Sequence, residues 1–481
     1  MQSKVETSWR RLFVVTLIGV AFCVTDRQAL AQEPEKVTPE VQQLKEKLQK
    51  LEQTVQELKT QLADIDKPKL VPAADVKPAQ PAASTAADST TASTNKKQDT
   101  KKGESTLSVY GFAMLDVGYQ FNQNHPDWFD TVRPTKLPAF KDQFAPDGKT
   151  YFGVRQSRLG VKSTTPTEFG ELKTVFEFEL FGTGIDAGQT TFRLRHAYGE
   201  LGNFGAGQYW TVFGDTDAFP NILEYWGPNG LVWFRNVQVR WMPIKGNNSL
   251  TLALERPGAS GDQGLFVDRI ELQGIRPKLD LPDLTGNVRF NRGWGHVQLA
   301  GVVRRIRWVD TINDEFDLNG TEWGWGVSVS SAPKFGKNDV GRLAFVYGEG
   351  IENYMNDAPV DIGIGLNTAT NINLNPARPI KGVALPVLGV SAFLDHTWSK
   401  QFSSAIGYSL VNIENANRQS ADAYHRGQYA LTNLLYYPYE NVMVGGEFQW
   451  GRRENFLDGF ASNDYRIQFS FRYNFSKVFG L

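Results

Sequence analysis

From Leu107 to Phe475 apolar and polar residues alternate with a period of two. In the last segment Tyr465, Ile467, Phe469, Phe471, Tyr473 and Phe475 interleave with Arg466, Gln468, Ser470, Arg472 and Asn474. The first segment repeats this with Leu107, Val109, Ala113, Leu115, Val117 and Tyr119. Successive side chains of a strand point to opposite faces, so the pattern predicts a sheet with one apolar and one polar face. Sixteen segments carry it, near 107–121, 150–163, 170–181, 191–201, 203–211, 232–241, 248–256, 282–291, 294–308, 321–332, 338–352, 385–398, 401–412, 424–437, 441–454 and 463–475. Connections after even-numbered segments are short, such as Ser399-Lys400 and Pro438-Tyr439-Glu440. Those after odd-numbered ones are mostly long, including 122–149, 257–281 and 353–384. A soluble sandwich has no reason for that rhythm. A membrane barrel has: its apolar faces meet lipid, short turns mark one end, and long loops mark the other. Aromatics at the ends of the outward faces (Tyr119, Phe121, Trp241, Tyr436, Tyr437, Tyr439, Trp450, Phe475) suit interfacial girdles. The expected fold class is an all-β transmembrane barrel of about 16 antiparallel strands, porin-like, over residues 105–481.

Ahead of the barrel the period changes. Val37, Val41, Leu44, Leu48, Leu51, Val55, Leu58, Leu62 and Ile65 alternate spacings of four and three, the a/d seam of a left-handed coiled coil. Glu40 with Lys45 and Lys47 with Glu52 flank it, as interchain pairing requires. A short N-terminal α-helical coiled coil over 32–66 follows, an oligomerisation segment. Its mixed Val and Leu at a leaves dimer and trimer both open. Residues 67–104 are rich in Pro, Ala, Ser, Thr and Lys and read as a disordered tether. At the start, Lys4, Arg10 and Arg11 precede an apolar run from Leu12 to Val24, and Ala29-Leu30-Ala31 offers a cleavage site. That is a signal peptide over 1–31, its apolar run shorter than the ~20 residues of a spanning helix.

Composition narrows the function. The 31 Phe, 12 Trp and 16 Tyr are many for a soluble domain, and the mean hydropathy of −0.36 argues against a helical membrane protein. Lys+Arg 51 against Asp+Glu 52 leaves no basic excess for nucleic acid. The one Cys, Cys23, falls inside the leader, so disulfides and thiolate metal sites are not expected. The five His residues form no paired zinc motif, and no nucleophile elbow occurs. Asp310, Asp314, Glu315 and Asp317 cluster in a loop, but not at the spacing of a calcium-binding EF-hand. No enzyme, cofactor or resident metal is expected.

Sixteen strands enclose an aqueous lumen, so the inward residues decide what passes. By parity Arg158, Arg193, Arg195, Arg240, Arg289, Arg304 and Arg466 point inward and are the candidate solute-binding residues; Arg342, Arg472, Lys162 and Lys173 share that face. Guanidinium groups stay charged and grip carboxylates bidentately. Arg193 and Arg195, on one wall, form a candidate grip for a small dianion. Glu177, Glu179, Glu255 and Glu447 also face inward. Taking the first 104 residues (16 basic, 14 acidic) from the totals leaves 35 basic against 38 acidic side chains, so only placement can favour anions. The segment Trp210–Pro220, running on through Tyr225–Gly230, is too apolar for a loop in water. It predicts a loop folded into the barrel, holding Asp215, Asp217 and Glu224 opposite the basic wall across a transverse field.

Several stretches carry a family resemblance: Tyr151-Phe152-Gly153-Val154-Arg155-Gln156-Ser157-Arg158-Leu159-Gly160, Leu194-Arg195-His196-Ala197-Tyr198-Gly199-Glu200-Leu201, Trp294-Gly295-His296-Val297-Gln298-Leu299-Ala300-Gly301, Tyr347-Gly348-Glu349-Gly350-Ile351 and Ile406-Gly407-Tyr408-Ser409. With the stalk–linker–barrel order, the chain resembles the DcaP-like family of trimeric outer-membrane porins. The resemblance implies a sixteen-stranded homotrimer in a Gram-negative outer membrane, its coiled coil in the periplasm, passing small anionic solutes, notably dicarboxylates. One departure is the barrel-type ending Phe471–Phe475, which is followed by Ser476 to Leu481. Two other functions fit the same residues: a general or sugar-type porin, with Tyr110 and Phe112 stacking on sugar, or an envelope structural protein whose coiled coil reaches toward peptidoglycan.

Overall fold

The computed structural model of the protein describes residues 104–367 and 377–481. The expected leader, coiled coil and tether lie outside the described residues, save Glu104. Sixteen antiparallel strands close into one barrel. In chain order they are β1 (Thr106–Gln120), β2 (in two pieces, Lys149–Gly153 and Arg158–Thr167), β3 (Gly170–Phe181), β4 (Thr190–Leu201), β5 (Phe204–Trp210), β6 (Arg235–Ile244), β7 (Asn248–Glu255) and β8 (Asp283–Arg292). The second half holds β9 (Gly295–Asp310), β10 (Gly320–Ser331), β11 (Asp339–Glu349), β12 (Pro386–Thr397), β13 (Phe402–Ile413), β14 (Tyr424–Tyr439), β15 (Val442–Asn455) and β16 (Ala461–Gly480). Ile362–Leu366 and Ile380–Ala384 form a separate hairpin.

Each expected segment forms one strand, and the alternation explains why. Phe469, Phe471 and Tyr473 are 61%, 48% and 50% exposed, whereas Arg466, Gln468 and Ser470 between them are buried. A one-residue slip would put the Arg in lipid and the Phe in the lumen, so register is strongly specified. The barrel closes where β16 pairs with β1 from Gln120↔Arg466 to Thr106↔Gly480. The residues after Phe475 therefore lengthen the seam. On its other edge β1 meets both pieces of β2, and between them the Ser157 hydroxyl accepts from the Met114 amide at 3.0 Å in place of the ladder. One girdle assignment needs correcting. Tyr437 points inward, its hydroxyl accepting from Asn221, because strand parity places it opposite Tyr436.

Short turns follow β2, β4, β6, β8, β10, β12 and β14, with Asn441 in the left-handed region (φ 68°) in the last of these. The long connections gather at the other end. Three of them turn inward and build a core inside the lumen. Val132 from 121–148 and Phe219, Ile222 and Leu231 from 211–234 pack on Phe393, Tyr429 and Leu431 of the wall. Phe213 and Val232 join Tyr354 and Met355 from 350–385 against Val387 and Ile413. A sixteen-stranded lumen is too wide for wall side chains to fill; the loops fill part of it.

Candidate functional site

The 211–234 loop is the central piece, and its inward fold matches the expectation from its apolar sequence. Carboxylates of the wall hold its backbone. Glu255 accepts from the Val212 amide at 3.0 Å and the Thr211 hydroxyl at 2.8 Å. Glu447 accepts from the amides of Leu223 and Glu224 at 2.8 and 3.0 Å. The Gly230 amide donates to Ser409 Oγ at 2.7 Å. Trp226 donates to the Asn356 carbonyl at 2.7 Å, which ties this loop to 350–385.

The three loop carboxylates do not stand across a gap from the basic wall, as the transverse-field expectation required. They touch it. Arg289 donates to Asp215 at 3.0 Å and also to Asp217, while Arg466 sits 3.7 Å from Glu224. His296 and Ser330 each meet Asp215 at 2.6 Å. Burial alone would push the Asp215 carboxyl up; His296 and Arg289 outweigh it and hold the group down at about 2. Asp215, Asp217 and His296 offer three ligand atoms within 4.8 Å of one another, yet the Arg289 guanidinium already occupies the two carboxylates and repels a cation. The loop acids Asp310, Asp314 and Asp317 are likewise engaged: Asp310 and Asp314 accept from amides of their own loop, and Asp317 pairs with Arg378.

Between these loops and the wall lies a cavity of about 820 Å³. Of the seven candidate arginines, Arg158, Arg193 and Arg195 line it. The other four hold structure. Arg240 donates to Gln238 and the Trp210 carbonyl. Arg289 fastens the loop. Arg304 lies 3.2 Å from both Asp283 and Asp361, and Arg466 is fully buried against Gln449 and Gln468. Parity cannot tell a wall arginine that faces solute from one that faces a folded-in loop.

The three lining arginines converge on two carboxylates. Glu179 meets Arg195 at 2.5 Å, Arg235 at 3.3 Å, Arg193 at 3.5 Å and Arg158 at 3.8 Å. Glu177 takes the other side of Arg195 at 2.6 Å. A bulge makes this possible: the β3–β4 ladder slips between Glu177↔His196 and Phe178↔Leu194, leaving Arg195 as an extra residue, and both Arg195 and His196 are buried. Arg195 is thus clamped by both glutamates, while Arg193 keeps 30% of its side chain exposed.

Sequence reasoning missed Arg235 and Arg133. Arg235 sits on an outward parity, but as the first residue of β6 it leaves the loop and turns in. Arg133 comes from the 121–148 loop, pairs with Asp357 at 2.7 Å, and lies over the rings of Trp128 and Trp226 at 4.2 and 3.8 Å. The Trp128-Phe129 pair, with Val132 and Leu137 after it, was the available signal. Among the described residues, seven basic side chains (Arg133, Arg158, Lys162, Arg193, Arg195, Arg235, Arg472) and three acidic ones (Glu177, Glu224, Glu352) line the cavity.

Residues 37–475 match the family model described as DcaP outer membrane protein. Among solved structures, the outer membrane channel DcaP of Acinetobacter baumannii is similar at 20% identity and TM-score 0.63, covering 78% of this chain and 99% of that one. An anion-selective porin from Comamonas acidovorans is similar at 12% identity and TM-score 0.49, covering 77% of this chain and 100% of that one. No curated protein sequence matches.

Proposed function

The chain belongs to the DcaP outer membrane protein family, an outer-membrane porin-type barrel, and from that premise we propose that it is a passive pore for small organic anions, dicarboxylates among them. One observation carries this: four guanidinium groups crowd one carboxylate, Glu179, and Glu177 lies against the same cluster. Among the described residues these four positive charges face two negative ones, a local excess in a chain whose overall charge is near zero. Arg193, the most open of the four, is the first contact for a carboxylate, and Arg235 and Arg158 reinforce it. Arg195 acts through the glutamates it holds in place. The seven basic and three acidic residues around the cavity extend the same sign. Binding stays weak because solute competes with Glu177 and Glu179 for these guanidinium groups, and a pore needs binding that admits solute without trapping it. Transport is diffusion down a gradient.

The assembly is a homotrimer in the outer membrane. Its 32–66 helices form a periplasmic coiled coil tethered by 67–104, and the leader 1–31 is removed on export. A sugar-type pore is the second reading, favoured by the tryptophans at the cavity. Arg133 already lies over two of those rings, and Trp210 and Trp233 lie 4.3 Å from each other, which leaves little free face for a sugar.

Reversal potential of the purified channel in a KCl gradient tests the proposal. Anion preference is expected, and Arg193→Gln with Arg235→Gln should lower the anion-to-cation permeability ratio by roughly threefold or more. Cation preference in the wild type would overturn it.

A further inference from the structure

Arg472 differs from every other arginine of the cavity. It is 8% exposed, its Nε is buried with no acceptor, and among the described residues no carboxylate pairs with it. The carboxylate on the neighbouring strand, Asp116, is used by neutral donors. Ser470 reaches it at 2.6 Å, Gln468 at 3.0 Å and Gln156 at 3.0 Å. A guanidinium withdrawn from water needs a counter-charge; among the described residues Asp116 acts on Arg472 electrostatically but forms no ion pair with it. What the chain does supply is access, since Arg472 lines the 820 Å³ cavity together with Phe112 and Asn474. The Phe112 ring is flanked by two guanidinium groups, with Arg158 at 5.2 Å and Arg472 at 5.4 Å from its centroid.

The position is also distinct. Gln468 donates to the Leu223 carbonyl, which marks the height of the inward loop on β16. Arg472 lies four residues further along that strand, roughly 13 Å toward the short-turn end at ~3.3 Å per residue. Its ladder partners are Met114 on β1 and Met443 on β15, the latter just past the tight turn from β14. Leu223 shares a buried apolar cluster with both methionines.

We propose that Arg472 is the carboxylate-binding group of a second anion site, on the short-turn side of the inward loop, where a small organic anion supplies a directly paired counter-charge. The inference rests on the anion-pore reading above and extends it: the Glu179 cluster receives the solute, and Arg472 holds it as it leaves past the loop. Its burial favours a compact carboxylate, which can pair bidentately with one guanidinium, over a bulky anion.

The test uses the full-length channel in planar lipid bilayers, with succinate added to one side at a time. Arg472→Gln should weaken current block from the short-turn side by roughly tenfold, the loss expected for a charge-assisted bond, and change block from the long-loop side far less. Arg472→Lys should retain most of it. Asn474→Asp, which places a carboxylate two residues along the same face, should weaken short-side block in the same way. It decides the matter should Arg472→Gln give no channels. Unchanged short-side block in Arg472→Gln, or in Asn474→Asp where that variant decides, overturns the site. If the wild type is anion-selective in that experiment, the anion-pore reading survives the loss. A cation-selective wild type overturns both.

Discussion

Asp215 shows how one side chain organises the constriction. Its carboxylate collects Arg289, His296 and Ser330, groups from β8, β9 and β10, onto a single loop residue. Its folded-state value of about 2 lies below the ordinary 3.8. A depressed carboxyl contributes stability that is fully present above 3.8 and is lost as pH falls toward 2. The Asp215 carboxylate should therefore stay charged across the neutral and mildly acidic range. Asp215→Asn removes the charge and leaves the Arg289 guanidinium short of a partner, at a cost of about 1.5–3 kcal/mol. Thermal unfolding of the purified channel in detergent should show a lower midpoint for the variant at pH 7, with the gap to wild type narrowing below 3.8. Equal midpoints at pH 7 would show that the anchor contributes nothing.

The inward loop is held as an element by how closely its backbone meets the wall. A Cβ on Gly230 would lie 2.3 Å from the carbonyl oxygens of both Leu410 and Val390. Those are backbone atoms of neighbouring strands and cannot swing away. Gly230→Ala must then push the loop off β12 and β13, break the bond to Ser409, and open the space beside it. Single-channel conductance should rise and the loop should become a site of limited proteolysis, while the barrel keeps its heat-modifiable mobility on gels. A variant with wild-type conductance and no new cleavage would mean that the wall yields instead of the loop. The same logic accounts for Arg155, a fully buried residue in the break of β2. It pairs with Asp130 at 2.7 Å and donates to the Gly182 carbonyl at 3.0 Å, pinning the 121–148 loop.

For the whole molecule, the outer wall and the lumen pose separate problems. Outward Phe, Leu, Val and Tyr side chains give the barrel a lipid-facing surface, and inward polar groups bond one another or the loops. Barrel closure satisfies every strand edge within one chain, so the β fold does not depend on partners for its hydrogen bonds. The association proposed for 32–66 would add to a barrel that closes on its own. Deleting 32–66 should therefore lower the temperature at which the oligomer dissociates on gels while leaving the conductance per pore within about twofold of wild type. A deletion that abolishes the conductance itself would show that the stalk is needed to build the barrel.

Strand number, strand position and the inward or outward aim of most side chains follow from the sequence alone. The contrast between lipid and water acts on each residue separately, and strand geometry turns it into a period of two. The inward fold of 211–234 was legible for the same reason, its apolar residues being out of place in water. The division of labour among the arginines was decided only by the tertiary structure. Arg466 and Arg472 share a face, six residues apart on one strand, yet a folded-in loop brings Glu224 to the first and no carboxylate to the second. Whether a charge is an anchor or a binding group depends on which distant residues the closed barrel brings against it, and a periodic pattern along the chain does not encode that.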